Sequence, residues 1–295
     1  MGGDRPLPVA NVMAGRGAAG WPLLVLVCLL VAVSLSGCSS GRERAVAMAG
    51  PRHLFPSEVD GGSFTLFTLA PLRWEAGAPL SVYLEGDGHA WIDRNHLSDD
   101  PTPRNPVALE LAVRDPAENV VYIARPCQYV VAAALRNCQP AYWSTARYAD
   151  EVVSAVNAAI ERYRVAAGAN RVRLYGYSGG GTLALLVAAR RSDVAGVGTV
   201  SAVLDTAAWT RLTDATPLFD SLNPADFAAR LAAVPQYHLV GADDAVVPPA
   251  VAFSYLSRFP ADRRPRLVVV PGQGHECCWA EGWPESLGQM NNGAR

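Results

Sequence analysis

The sequence predicts a single α/β domain, in which helices cover both faces of a mostly parallel sheet. Short, nearly continuous apolar runs alternate with helical stretches from about residue 60 onward, which is the pattern of strands buried on both faces. No repeat, low-complexity block or long linker interrupts this part of the chain. Half of the residues are hydrophobic and 18% are charged, which supplies enough apolar material for one large core.

The alternation assigns the elements in order along the chain. Strands are predicted at the apolar runs 63–70, 80–85, 120–124, 171–175, 197–202, 236–240 and 267–270. Helices are predicted at 146–165, 179–191, 224–233, 249–258 and 280–287. The polar region between the strands at 197–202 and 236–240 has room for a small cap and not for a lid domain. In such sheets ligands bind beyond the carboxyl ends of the strands, so the loops after the strands are the places to look for chemistry.

Charge and cysteine content narrow the class of protein. The formal net charge is −2, so the sequence lacks the excess of basic residues that is typical of nucleic-acid-binding proteins. The six cysteines form an even set, as expected in an oxidising compartment.

The N-terminal segment predicts export and lipid anchoring. Residues 21–35 are almost purely apolar but would rise only about 22 Å as a helix, which suits a secretory signal better than a membrane span. Leu35-Ser36-Gly37-Cys38 resembles a bacterial lipobox, which implies cleavage before Cys38 and lipid on its thiol. A plain signal peptide or an uncleaved anchor is the alternative.

The boundaries that follow are a lipoprotein signal over 1–37, a tether over 38–58 and the α/β domain over 59–295. Serine after the modified cysteine favours the outer membrane, facing the periplasm or the surface, over the inner membrane. The membrane, reached through the lipid on Cys38, is thus one expected partner.

A strand-turn-helix segment carries the strongest catalytic signal. Gly176-Tyr177-Ser178-Gly179-Gly180 lies between a predicted strand and a predicted helix, the context that a G-x-S-x-G motif requires. Such a turn lifts the serine hydroxyl clear of the sheet, and glycine is needed two residues to either side because a side chain there would collide with backbone. The alternative is a glycine-rich turn in which Ser178 only caps the helix. A phosphate-binding loop is excluded because the Walker lysine and the G-x-G-x-x-G spacing are absent.

Two loops later in the chain each contain a candidate catalytic side chain, first an acid and then a base. Gly241-Ala242-Asp243-Asp244-Ala245-Val246-Val247-Pro248 and Pro271-Gly272-Gln273-Gly274-His275 each follow a predicted strand. With the serine turn, these segments resemble the α/β-hydrolase superfamily over roughly residues 60–290. The resemblance implies that Ser178 is the nucleophile, Asp244 the acid and His275 the general base. It leaves Asp243 as a solvated turn residue, or both aspartates as simple turn and helix caps. His238 is expected in a strand as a core or face residue, and His96 in a solvent-facing loop.

The same resemblance implies an oxyanion hole from the backbone N–H groups of Asp87 and Gly179. Glu85-Gly86-Asp87-Gly88-His89 stands where related hydrolases carry a His-Gly segment, but Glu85 replaces the histidine, so the loop could instead be a glycine turn without a donor. The possible pocket residues are Gly88, His89, Trp91 and Tyr177.

The activity implied is serine hydrolysis of a small-molecule acyl substrate, a carboxylic ester or thioester of the carboxylesterase or lipase type, through an acyl-enzyme. It calls for no metal or organic cofactor. An amide or peptide hydrolase of the same fold and a non-catalytic envelope binding lipoprotein are the alternatives.

Four cysteines of the domain are disulfide candidates. Cys127 and Cys138 bracket a loop of about 12 residues, whose closure contributes roughly 3 kcal/mol by loop entropy; free buried thiols are the alternative. Cys277 and Cys278 are adjacent, and either a vicinal disulfide or pairing with another cysteine is open. A zinc site of His275, Cys277 and Cys278 is disfavoured because its spacing is unusual and it would remove the base. Trp279 is expected to pack under the histidine loop.

Overall fold

The computed structural model describes residues 1–3, 40–276 and 278–293. The predicted apolar signal stretch and Cys38 lie outside these residues, as does Cys277. Within the part of the chain that is described, no helix combines the length and the apolar character needed to cross a bilayer.

The central feature is a sheet of eight strands in the order β1-β2-β4-β3-β5-β6-β7-β8. The strands are β1 (Phe55–Asp60), β2 (Thr65–Ala70), β3 (Leu80–Leu84), β4 (Val120–Ile123), β5 (Val172–Tyr177), β6 (Val194–Val200), β7 (Gln236–Gly241) and β8 (Arg266–Val270). Strand β2 runs antiparallel to β1 and β4, and the other neighbouring pairs are parallel. The parallel strands therefore present all their carboxyl ends at one edge, which we call the carboxyl edge.

Helices lie on both faces of the sheet, as the sequence predicts. They are α1 (Gly41–Ala49), α2 (Val107–Ala112), α3 (Asp150–Ala166), α4 (Gly179–Ala188), α5 (Thr206–Thr213), α6 (Ala228–Leu231), α7 (Pro249–Leu256) and α8 (Trp283–Gly293). One core cluster joins α3, α4, α6 and α7 to the sheet, and a second joins α1, α2 and α8 to the opposite face.

Helix α3 shows how the pattern of residues determines the packing. Its buried positions include Val152, Val156, Ile160 and Tyr163, which recur at helical spacing and form one stripe toward the sheet. Asp150 and Glu151 lie in the first turn, where a negative charge stabilises the positive end of the helix dipole. The chain leaves the helix through a glycine with a positive φ.

The structure corrects the expected tether over 38–58. Gly41–Ala49 forms α1, whose Ala45 and Ala49 are buried against the domain, and Phe55–Asp60 forms β1. Ser40 and Glu43 form a capping box that starts α1. The segment is short and has small apolar residues, so its helical stripe is too weak to stand out in the sequence.

Two other helices were also missing from the sequence prediction. Helix α2 is only six residues long, and α5 lies within the region expected to be irregular between β6 and β7. That region contains three short elements, α5, a 3₁₀ turn at Pro224–Phe227 and α6. Elements of this length can form a small cap, as expected, but not a lid domain.

Candidate active site

Ser178 lies at the carboxyl edge, between β5 and α4, in a conformation that only the surrounding packing can enforce. Its φ is +49° and its ψ −124°, a region that L-residues rarely occupy. A Cβ on Gly176 would lie 2.3 Å from the Gly180 carbonyl oxygen, and one on Gly180 would lie 2.1 Å from the Leu84 carbonyl oxygen. Glycine is therefore required at both positions, as the motif predicts.

The Ser178 hydroxyl does not cap α4, because its side chain makes no capping hydrogen bond. Instead its Oγ lies 3.0 Å from Nε2 of His275, whose Nδ1 lies 2.8 Å from Oδ2 of Asp244. The structure thus brings together the serine, histidine and aspartate that the sequence singles out, in one continuous chain of hydrogen bonds. This arrangement is the one that a nucleophile, a base and an orienting acid require.

Asp244 is built to remain ionised. Its other oxygen, Oδ1, accepts hydrogen bonds from the backbone N–H groups of Val246 (2.9 Å) and Val247 (2.7 Å). Burial would raise the pKa of Asp244, but the hydrogen bond and charge of His275, together with the backbone donors, outweigh it and hold that pKa below its ordinary value. Because an ionised carboxylate can only accept, Nδ1 of His275 carries the proton and Nε2 is left to accept from Ser178.

The loop that carries His275 is held from below by two aromatic side chains. The Tyr177 hydroxyl and the Trp279 Nε1–H both donate to the His275 carbonyl oxygen, at 3.2 and 2.9 Å. The predicted position of Trp279 under this loop is confirmed. Tyr177 is buried, and its ring centroid lies 5.3 Å from that of His275. Tyr177 therefore supports the histidine, whereas the prediction from sequence made it a possible pocket residue.

The loop after β3 also reaches the serine. A Cβ on Gly86 would lie 3.3 Å from Cβ of Ser178, and one on Gly179 would lie 2.0 Å from Oδ1 of Asp87. Neither the Asp87 nor the Gly179 backbone N–H donates a hydrogen bond to another described residue. Two unengaged donors next to the nucleophile are what the expected oxyanion hole needs, and their role stays a prediction.

Two arginines that the sequence analysis missed fix this loop. The carboxylate of Asp87 lies between the guanidinium groups of Arg125 (2.5 Å) and Arg147 (2.7 Å), and the Tyr148 hydroxyl is 3.3 Å away. Burial would raise the pKa of Asp87, but the positive charges of Arg147 and Arg125 hold it below its usual value. We call Asp87, Arg125 and Arg147 the arginine clamp. Its only signal in the sequence is an arginine directly after the apolar run 120–124, which no motif distinguishes from a surface residue.

Glu85, at the start of the same loop, is fully buried. Its Oε1 accepts from the Gly86 N–H at 2.8 Å, and its Oε2 accepts from the Tyr122 hydroxyl at 3.0 Å. Burial raises the pKa of Glu85 to about 7, against the opposing effect of these hydrogen bonds. Glu85 thus anchors the loop from inside the core.

The remaining candidates are Gly88, His89 and Trp91 in the loop after β3. Gly88 has a φ of +68°. The next residue, His89, donates its backbone N–H to the Pro101 carbonyl oxygen at 3.1 Å. Neither the His89 nor the Trp91 side chain makes a hydrogen bond to Ser178 or its partners, so their place in a pocket stays a prediction. His238 is buried within β7, as expected, and burial lowers its pKa to about 3.

The structure also shows the surroundings of Asp243, His96 and the cysteines of the domain. Asp243 is exposed in its turn, and His96 is exposed beside Asp93, both as predicted. Cys127 and Cys138 form a disulfide, also as predicted. Cys278 is disulfide-bonded, but Cys277 lies outside the described residues, so the partner of Cys278 stays open. Both ring nitrogens of His275 are engaged by Asp244 and Ser178, which leaves neither for the zinc site that was disfavoured.

No profile of a known protein family matches the chain, and neither does any curated protein. Solved structures do match. An α/β serine hydrolase without a lid from Xanthomonas campestris is 16% identical with a TM-score of 0.52, over 83% of this chain and 95% of that one. A membrane phospholipase A, described as a bacterial virulence factor, is 17% identical with a TM-score of 0.50, over 92% of this chain and 99% of that one.

A third similar structure is a puromycin-hydrolyzing peptidase from Mycobacterium tuberculosis. It is 16% identical with a TM-score of 0.57, over 82% of this chain and 39% of the longer peptidase. Each of these three matches extends over more than four fifths of this chain, whose sheet of eight strands is mostly parallel. The chain therefore has the α/β-hydrolase fold.

Proposed function

We propose that this chain is a serine hydrolase that cleaves an ester-type substrate, a carboxylic ester or a thioester, through an acyl-enzyme. The observation that carries the proposal is the continuous hydrogen-bond chain from Ser178 through His275 to Asp244. The strained φ of Ser178 adds support, because such strain is retained where the surrounding structure serves a function.

The residues act in two half-reactions. Nε2 of His275 takes the proton of Ser178 as Oγ attacks the acyl carbonyl carbon, and the oxyanion forms against the N–H groups of Asp87 and Gly179. The histidine then gives that proton to the departing alkoxide or thiolate, which leaves the acyl group on Oγ. In the second half, water attacks the acyl-enzyme by the same route and regenerates Ser178. Asp244 stabilises the imidazolium in both halves.

The geometry favours an ester or thioester over an amide only indirectly. The cap is small, which favours access to the carboxyl edge for a substrate presented from a surface or a micelle. In addition, one of the similar structures is a membrane phospholipase A. The puromycin-hydrolyzing peptidase among the similar structures keeps amide hydrolysis as the second candidate. A non-catalytic binding lipoprotein is the third, and the intact triad geometry argues against it.

We also propose that the enzyme is a lipoprotein of the bacterial envelope, anchored through lipid on Cys38 and placed on the outer membrane. The support is the lipobox-like segment Leu35-Ser36-Gly37-Cys38, preceded by an apolar stretch of secretory length. Labelled palmitate should be incorporated into the wild type, and Cys38→Ser should abolish that incorporation. Incorporation into Cys38→Ser would contradict the assignment.

Labelling with a fluorophosphonate probe tests the hydrolase proposal. The wild type and the control Ser154→Ala, an exposed serine of α3, should be labelled equally, and Ser178→Ala should not be labelled. A labelled protein is then given matched short-chain oxygen esters, thioesters and anilides with the same acyl group. Faster turnover of the esters supports the first candidate, and faster turnover of the anilides supports the second. If the folded wild type takes no label, both hydrolase candidates fail and the non-catalytic binding lipoprotein is the candidate that remains.

A further inference from the structure

Helix α1 fixes the point at which the chain from Cys38 reaches the domain. The capping box holds Ser40 in place: its N–H donates to Glu43 Oε2 at 2.8 Å, and its Oγ accepts from the Glu43 N–H at 3.1 Å. Only Ser39 separates Ser40 from Cys38, so the two α-carbons of residues 38 and 40 can lie no farther apart than about 7.6 Å. A lipid on Cys38 would therefore bring the surface around Ser40 into contact with the headgroups of the bilayer.

The contacts of α1 show which edge of the sheet this surface belongs to. At the start of the helix, the Arg42 guanidinium donates to the Tyr129 carbonyl oxygen at 2.7 Å, and Tyr129 lies in the loop after the carboxyl end of β4. Beyond its other end, Arg52 donates to the carbonyl oxygens of Asp115 and Ala117, which precede the amino end of β4. Helix α1 thus runs from the carboxyl edge to the amino edge. Ser40 lies at the carboxyl edge, the same edge as Ser178.

The carboxyl edge also exposes large apolar side chains. Ile92 is 64% exposed and Trp91 38% exposed in the loop after β3, and Val131 is 44% exposed in the loop after β4. The Val131 N–H donates to Glu58, whose carboxylate also binds Arg42 of α1, so Val131 lies close to the start of the helix. Leu135 and Val246 are further exposed apolar residues, in the loops after β4 and β7.

We propose that the carboxyl edge is a membrane-docking surface, in which Trp91, Ile92 and Val131 insert into the bilayer that holds the lipid on Cys38. The occupant is the lipid surface itself, and the short reach from Cys38 is what selects it over a soluble partner. The inference rests on the proposed function, which it extends: Ser178 opens toward the membrane, so its acyl substrate is a lipid drawn from that bilayer. Apolar side chains next to an anchor bind membranes by burying their surface among the acyl chains.

Insertion is tested without catalysis, on the full-length protein reconstituted into vesicles of phosphatidylethanolamine and phosphatidylglycerol. Lipids brominated along their acyl chains quench tryptophans that enter the hydrocarbon. Quenching should be clearly greater in the wild type than in Trp91→Phe, since the variant lacks the inserting indole. Equal quenching of the two proteins would overturn the docking surface.

Access of lipid substrates to Ser178 is tested by introducing negative charges at the carboxyl edge. In proteoliposomes, the double variant Ile92→Asp with Val131→Asp should hydrolyse a long-chain fluorogenic phospholipid at least about tenfold more slowly than the wild type, because two carboxylates oppose insertion. Its turnover of a soluble short-chain ester and its fluorophosphonate labelling should stay at the wild-type level, which also shows that it folds. The matched control is Leu72→Asp with Val165→Asp, at two exposed apolar positions of the amino edge.

The outcomes separate the two proposals. Absence of labelling and of ester turnover in the wild type would reject the proposed function, while the quenching result would still decide whether the edge inserts. Full ester turnover with equal phospholipid turnover in both double variants would reject the docking surface alone. A concentration-dependent dimer of the wild type that Ile92→Asp dissociates, without a difference in quenching, would assign the patch to a second copy of the chain and would also reject the proposal.

Discussion

The carboxylate of Asp87 lies directly over the α-carbon of Gly179, so that a Cβ at Gly179 would be 2.0 Å from Asp87 Oδ1. The residue after the nucleophile is therefore restricted to glycine by a side chain of the loop after β3. The arginine clamp holds that side chain in turn. The two expected oxyanion donors are thus fixed relative to each other by contacts distant in the sequence.

Gly179→Ala should lower kcat for a soluble ester by about 10²-fold with little change in KM, because the methyl group displaces the Asp87 loop and with it one oxyanion donor. Steady-state kinetics measures both parameters. Gly50→Ala is the control, since a Cβ there meets nothing within 4 Å, and its kinetics should match the wild type. Unchanged kcat in Gly179→Ala would show that the loop supplies no donor.

Asp244→Asn should lower kcat by roughly 10³- to 10⁴-fold while the protein remains folded, because an amide can no longer fix the tautomer in which Nε2 accepts the serine proton. Thermal unfolding confirms the fold, and kcat is measured on the soluble ester. The neighbouring exposed Asp243→Asn should retain wild-type turnover. A larger loss in Asp243→Asn than in Asp244→Asn would exchange the roles of the two aspartates.

Asp87→Ala should reduce the free energy of unfolding by about 3–5 kcal/mol, since it leaves the buried guanidinium groups of Arg125 and Arg147 without their shared carboxylate. Denaturant unfolding measures the loss. Asp60→Ala removes the partner of Arg136 from an exposed ion pair, and its midpoint should stay at the wild-type value. Similar midpoints for the two variants would mean that the clamp carries no stability.

Glu85 makes stability depend on pH. Its pKa is about 7 in the folded protein against an ordinary value of 4.5, so the stability associated with the neutral carboxyl group is present below about pH 4.5 and is lost as pH rises through about 7. Glu85→Gln stays neutral, so it should be more stable than the wild type at pH 8, by up to about 3 kcal/mol, and much closer to it at pH 5.

Thermal unfolding of Glu85→Gln and the wild type at pH 5 and pH 8 measures this difference. The exposed Glu118→Gln should follow the wild type at both values. If the Glu85→Gln and wild-type curves kept the same separation at both pH values, Glu85 would not titrate in this range.

The disulfide between Cys127 and Cys138 closes a short loop next to the clamp. Replacing both cysteines by serine should lower the free energy of unfolding by about 3 kcal/mol, because the unfolded chain regains the loop's conformational freedom. Chemical unfolding of the double variant and the wild type, both under oxidising conditions, gives the difference. Identical stability would mean that the loop is equally restricted in the unfolded chain without the bridge.

Local pattern was sufficient to predict much of this protein. Apolar runs at strand spacing and the helical stripe of α3 predicted the parallel sheet, because each element must bury one continuous apolar surface. The motif around Ser178, and the loops that carry Asp244 and His275, identified three residues that the structure joins by hydrogen bonds of 3.0 and 2.8 Å. Glycines two residues from the serine were predictable because the turn leaves no room for a Cβ.

Tertiary structure alone decided the rest. The partnership of Asp87, Arg125 and Arg147 arises because the strand order β4-β3-β5 places loops distant in sequence side by side. Tertiary packing likewise determines that Glu85 is buried, that α1 packs against the domain and that Ser40 lies at the carboxyl edge. A sequence encodes the periodicity of each element, but the neighbours of a charged or weakly patterned residue follow only from the packing of the whole domain.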